Sequence, residues 1–147
     1  MRPLLLAAVV LALAGCDSAA PAAAGDLVLD VRGDRFLVGA EAEATVENRS
    51  GRALYLYDCG GRILLGVQER TREEWETSGF VNGDCPTVPV VPYRLGAGEE
   101  RAVEFTVERP GTYRLRTAFG AAPGPGTDVG GPDWAEAVSG TFSVRAE

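Results

Sequence analysis

The sequence predicts an all-β sandwich of about seven antiparallel strands, and three observations predict it. Apolar residues recur with period two in seven short segments after residue 26, the signature of strands with one face in the core and one in water. Turn-forming pairs separate those segments: Gly33-Asp34, Asn48-Arg49-Ser50-Gly51, Gly60-Gly61, Gly96-Ala97-Gly98 and Pro110-Gly111. After the amino-terminal leader, only Arg70 to Glu76 has the composition for a helical turn or two.

The strands follow in order. Leu27 to Val31 opens the domain. In Glu41 to Glu47 the apolar parity is Ala42, Ala44 and Val46, with charges and Thr45 on the other. Ala53 to Tyr57 and Ile63 to Val67 come next, then Arg101 to Val107, with Val103, Phe105 and Val107 inward. Thr112 to Phe119 and Val138 to Val144 complete the set. Seven short strands with this punctuation, and no strong helical stretch after the leader, read as an all-β sandwich. There is no repeat of fixed period and no linker long enough to divide residues 27–147 into two domains.

Composition excludes several function classes. The chain has 147 residues, 14 basic and 21 acidic, for a formal net charge of -7. A basic nucleic-acid footprint is therefore not expected. All the basic residues are Arg and there is no His, which removes the commonest general base, the commonest metal ligand and any Schiff-base lysine. The expectation is a non-enzyme without cofactor or metal.

The amino terminus carries an address. Arg2 is followed by an unbroken apolar run from Leu4 to Ala14, right for a secretion signal and short of the roughly 20 residues of a membrane-spanning helix. Leu13-Ala14-Gly15-Cys16 resembles the lipobox of bacterial lipoproteins. That resemblance implies cleavage before Cys16, lipid on the Cys16 thiol, and a membrane-anchored protein of the cell envelope facing the periplasm or exterior. Residues 1–15 are then the signal, 16–26 a small-residue flexible tether, and 27–147 the domain. Cleavage of an ordinary secretory signal near Ala20 or Ala24 is the competing reading.

A second resemblance lies in the domain. In Glu108-Arg109-Pro110-Gly111-Thr112-Tyr113-Arg114-Leu115 an acidic residue and a turn precede a Tyr and then an inward apolar position. This is similar to the sixth-strand entry of immunoglobulin-like domains, and it implies that the Tyr113 hydroxyl bonds back to the turn backbone while Leu115 takes the place of the usual cysteine. Thr45 to Gly51 resembles the corner between the second and third strands of bacterial domains of this type, and Gly98-Glu99 their turn before the fifth.

Export makes a disulfide between Cys59 and Cys85 the leading reading of the two remaining cysteines. A nucleophilic thiol or a metal thiolate would need a base or further ligands. Asp128, Asp133 and Glu136 match no calcium-loop spacing, and Glu73, Glu74 and Glu76 read as solvated charge. Residues 120–134 form a long Gly/Pro-rich loop ending at Trp134, so Asp128, Asp133 and Trp134 are candidate binding-loop residues; Trp134 covering the end of the core is the alternative, and Trp75 carries the same ambiguity. The functional expectation is a lipid-anchored binding or structural module whose partner is another protein or an envelope polymer. A peptidase inhibitor presenting the 120–134 loop, or the segment from Arg70 to Phe80, is the alternative.

Overall fold

The computed structural model describes residues 20–81, 85, 92–123 and 134–147. Eleven strands make up its regular structure: β1 (Leu27–Val31), β2 (Arg35–Leu37), β3 (Ala42–Asn48), β4 (Leu54–Leu56), β5 (Gly66–Thr71), β6 (Glu74–Phe80), β7 (Tyr93–Leu95), β8 (Glu100–Phe105), β9 (Gly111–Gly120), β10 (Ala135–Val138) and β11 (Phe142–Arg145). They form a three-stranded sheet, β1-β3-β8, and an eight-stranded sheet built around β9. Every pairing is antiparallel except β2 with β11. Between the sheets lies one apolar cluster, in which Ala44, Val46, Leu54, Leu56, Leu95, Leu115 and Phe119 are fully buried. The expected immunoglobulin-like sandwich is the observed architecture.

Eleven strands are described instead of about seven because one predicted strand is broken in two and three more, β2, β6 and β7, carry weak patterns. One flank of β9 pairs with β10 and then β11, where the sequence reads a single strand from Val138 to Val144. The break falls at Ser139, whose backbone N–H donates to the Leu115 carbonyl at 2.9 Å while its Oγ accepts from the Leu115 N–H at 2.8 Å. A hydroxyl stands in for a carbonyl, and the ladder is satisfied through the irregularity. The other flank pairs with β5 and β4, which are separated by a detour from Tyr57 to Leu65.

The segment Arg70 to Glu76 is not helical. It closes the β5–β6 hairpin through Arg72 and Glu73, at φ 49° and 78°. Two successive positive φ values match the right-handed strand twist, a geometry in which Asn-Gly is the usual pair. Here the expected turn residues are absent, and the Arg/Glu-rich composition suggests helix instead.

The Tyr113 corner is formed as the resemblance implies. The side chain is 1% exposed and its hydroxyl donates to the Arg109 carbonyl at 3.0 Å. Beneath it Phe142 stacks at 6.0 Å, and Phe36 and Phe105 meet Phe142 edge-on or tilted at 5.6 Å each. Burial, with the Glu69 carboxylate adding to it and Arg109 opposing, raises the Tyr113 phenol above its ordinary 10.0. The folded chain therefore holds this proton more tightly than the unfolded chain, so the contribution is intact below about pH 10 and is lost as pH rises through the folded value. Tyr113→Phe is expected to cost about 1 kcal/mol at pH 7, the worth of one hydrogen bond with a part-buried carbonyl, and to flatten the alkaline loss of stability. Urea unfolding at pH 7 and pH 10.5 checks both.

Candidate functional site

Because β9 buries Tyr113, Leu115, Thr117 and Phe119, its other parity carries Thr112, Arg114, Arg116 and Ala118 on the outer face of the large sheet. The unbroken β5–β9 register sets Gln68 opposite Arg114, while a bulge between Val67 and Gln68 shifts the pairing of β5 with β6 on its other side. The Arg114 Nε donates to the Gln68 Oε1 at 2.8 Å, and its guanidinium lies 4.3 Å from the centroid of the Trp75 ring on β6. That stacking adds roughly 0.5–1 kcal/mol of cation–π attraction at a partly exposed site. Arg116 pairs diagonally with Glu136 on β10, which stands opposite Ala118.

Beside this row is an open cavity of about 350 Å³, lined by Tyr57, Leu64, Gln68, Thr77, Phe80 and Arg116 among others. Phe80, at the end of β6, is 55% exposed and stands at the rim. Trp134 tilts against Tyr57 at 5.6 Å between ring centroids. Its indole also lies over Gly120, where a Cβ would overlap the ring. Trp134 is half-buried and packs over the end of β9, the arrangement in which it covers the end of the core rather than anchoring a loop. Trp75 is half-buried too, with Arg114 across its face.

Of the other predicted residues, Cys59 and Cys85 are joined, with an S–S distance of 2.02 Å and a Cα–Cα distance of 5.3 Å. Cys16, Asp128 and Asp133 lie outside the described residues. Glu136 is spent on Arg116. Arg70 to Phe80 is a paired hairpin arm rather than a free loop. Among the described residues no group of three His, Cys, Asp or Glu is placed to hold a metal ion, and no helix is long and apolar enough to cross a membrane.

Sequence reasoning missed Phe80, Arg114 and Gln68. The signal for Arg114 and Arg116 was present, since fixing Tyr113 and Leu115 inward puts both arginines outward. Gln68 depends on the pairing of β5 with β9, a long-range register that no local pattern announces.

A second constellation closes the end of the sandwich where β3 crosses to β4. Asn48 is fully buried. Its Nδ2 donates to the carbonyls of Arg52 at 2.7 Å, Leu95 at 3.0 Å and Gly96 at 2.8 Å, and its Oδ1 accepts from the N–H and Oγ of Ser50 at 2.9 and 2.7 Å. At the same end Arg52 holds the residues that precede β1. Its guanidinium donates to the carbonyls of Ala20 and, at 2.9 Å, Pro21, and lies 3.9 Å from the Asp26 carboxylate. Ala22 packs against the core.

No protein-family model matches the chain, and no curated protein matches it. Among solved structures it is similar to the CARDB domain of the PF1109 protein from Pyrococcus furiosus, in complex with di-metal ions, at 18% identity over 83% of this chain and 94% of that one, with a TM-score of 0.39. It is similar to the alkylpurine DNA glycosylase AlkC of Pseudomonas fluorescens, bound to DNA containing an abasic site analog, at 13% identity over 86% of this chain and 32% of that one, TM-score 0.37. It is also similar to a PapD-like domain of human CEP192, at 12% identity over 99% and 96% of the two chains, TM-score 0.32.

Proposed function

We propose that this chain is a non-catalytic, lipid-anchored protein of the bacterial cell envelope whose sandwich binds another envelope protein through the outer face of its large sheet. The observation that carries the binding reading is the row Trp75–Arg114–Gln68 beside the Phe80 cavity. Trp, Tyr and Arg concentrate at protein interfaces because they combine large apolar area with fixed polar contacts, and here two of the three types are already held in place by stacking and hydrogen bonding. Phe80 offers an apolar side chain at the rim of a recess. A chain without His or Lys supports the non-catalytic part.

The lipid anchor rests on the lipobox at Leu13 to Cys16. The packing of Ala22 and the Arg52 contacts to Ala20 and Pro21 favour cleavage there over cleavage at Ala20 or Ala24, which would remove some or all of these contacts. Two measurements test the reading in the native host. The mass of the mature protein extracted from membranes should correspond to a chain starting at Cys16 with acyl groups attached. A photo-crosslinking amino acid at position 80 should yield a discrete adduct with one envelope protein, while the same probe at exposed Ala102, on the outer face of the small sheet, should not. Adducts equally abundant at both positions would overturn the docking face.

A further inference from the structure

We infer that the end of the sandwich bearing Asn48–Arg52 and the Gly96–Gly98 turn rests against the phospholipid headgroups, with the strands standing away from the membrane. This rests on the reading of Cys16 as the lipid-bearing residue. The tether joins the domain at Ala20. From Ala20 onward it is part of the domain: Arg52 grips the Ala20 and Pro21 carbonyls, Ala22 packs on the core, the Ala23 N–H donates to the Asp26 carboxylate at 3.0 Å, and the Arg49 N–H donates to the Asp26 carbonyl at 2.8 Å. Only the four links from Cys16 to Ala20 remain, and a fully extended chain covers at most ~14 Å in four residues. The ten residues of β9 span ~33 Å along the domain. A lipid on Cys16 therefore reaches the end that Arg52 closes, and the opposite end, with the Arg72-Glu73 hairpin turn, lies beyond the tether's range.

Charge decides against the domain lying flat on the sheet next to the tether. The outer face of β1-β3-β8 sets Glu43 directly opposite Glu104 and Glu47 opposite Glu100, with Asp30 exposed nearby. Arg32 and Arg49 relieve one glutamate of each pair, and the face stays net acidic. Anionic headgroups repel such a face. An upright domain has a further consequence. Gly120 pairs with Tyr55 at the start of β4, so the 120–134 connection leaves from the membrane-facing end, while the Trp75–Arg114–Phe80 face points sideways, open to a neighbour in the same membrane.

Lipidated full-length protein carrying a single bimane-labelled cysteine, Ala97→Cys at the near end or Glu41→Cys at the far end, tests this in phosphatidylglycerol-containing vesicles with a headgroup nitroxide. Both positions are exposed. The expected result is quenching at position 97 and little at position 41, with the contrast diminished by Arg52→Ala. Equal quenching at both positions, in protein whose mass shows acyl groups on Cys16, overturns the orientation alone. Membrane-extracted protein with no lipid on Cys16 overturns the anchor reading and the orientation with it.

Discussion

Asn48→Ala is expected to destabilise the domain by roughly 3 kcal/mol, a large part of the 5–15 kcal/mol by which small domains are stable. The Asn48 amide bonds the Leu95 and Gly96 carbonyls and shares the Arg52 carbonyl with the Ser50 hydroxyl, and it joins the exit of β3, the entry to β4, the end of β7 and the turn before β8. The Asn48 backbone completes the knot, donating to the Glu99 carbonyl at 2.9 Å and accepting from Gly98 at 3.0 Å. Ala leaves buried carbonyls without that donor, and each unsatisfied buried group costs about 1–3 kcal/mol. Asn48→Asp is the sharper test. At an ordinary exposed turn Asn and Asp are nearly interchangeable, because either side chain can accept from the backbone two residues on. Here the exchange points a carboxylate at three carbonyl oxygens inside the protein, and an uncompensated buried charge costs roughly 3–5 kcal/mol. Ser50→Ala, which removes one donor to Oδ1 together with the hydroxyl's contacts to the Arg52 backbone, should cost about 1 kcal/mol. Urea midpoints ordered Asp below Ala below Ser50→Ala, at constant m, are the expected outcome. Asn48→Asp within 1 kcal/mol of the parent, on the scale of a surface turn, would show that the corner is not held by its amide.

That corner marks the boundary between what the chain's pattern displays and what it conceals. Period-two alternation displays the inward residues of β1, β3, β8 and β9 with their parity correct, since a strand whose one face is buried cannot slip by one residue without exposing its whole apolar set. The Tyr113 corner is legible for a related reason: the turn, the Tyr and the inward Leu115 are contiguous. The β5–β6 hairpin is not legible, because Arg72 and Glu73 take up positive φ without the residues that announce it, and β6 is an edge strand with little to bury. The break at Ser139 depends on which stretch of β9 each half-strand meets, and that is a long-range fact. The binding face is half legible. Arg114 and Arg116 follow from the parity of β9, whereas the meeting of Arg114 with Gln68 requires the β5–β9 register and its meeting with Trp75 the bulged β5–β6 hairpin, both of which tertiary pairing alone creates.

Breaking the Cys59–Cys85 bond is expected to lower stability by roughly 3.5 kcal/mol, the chain-entropy value for residues 26 apart in sequence. For a domain of this length that corresponds to a fall in Tm of roughly 10–15 °C. The position of the bond explains why the fold relies on it. Cys59 is buried in the detour between β4 and β5, where the Cys59 N–H donates to the Arg62 carbonyl at 2.7 Å and Asp58 forms a single bridge with Ile63. The enclosed loop contains the whole β5–β6 hairpin, so the cross-link ties the edge of the large sheet, and with it Trp75 and Phe80, back to the strand beside β9. Two comparisons separate the link from the packing of its sulfurs. Reduced parent protein keeps both side chains and loses only the link, whereas the Cys59→Ala/Cys85→Ala variant also loses the buried sulfur of Cys59 and should be less stable still, by about 1 kcal/mol. Dithiothreitol should lower the Tm of the parent and leave that of the double variant unchanged. A parent Tm that does not respond to reductant, with both thiols then labelled by iodoacetamide in the unfolded chain, would mean that the sheet edge holds itself through β5–β9 pairing and that the link is not what stabilises the binding face.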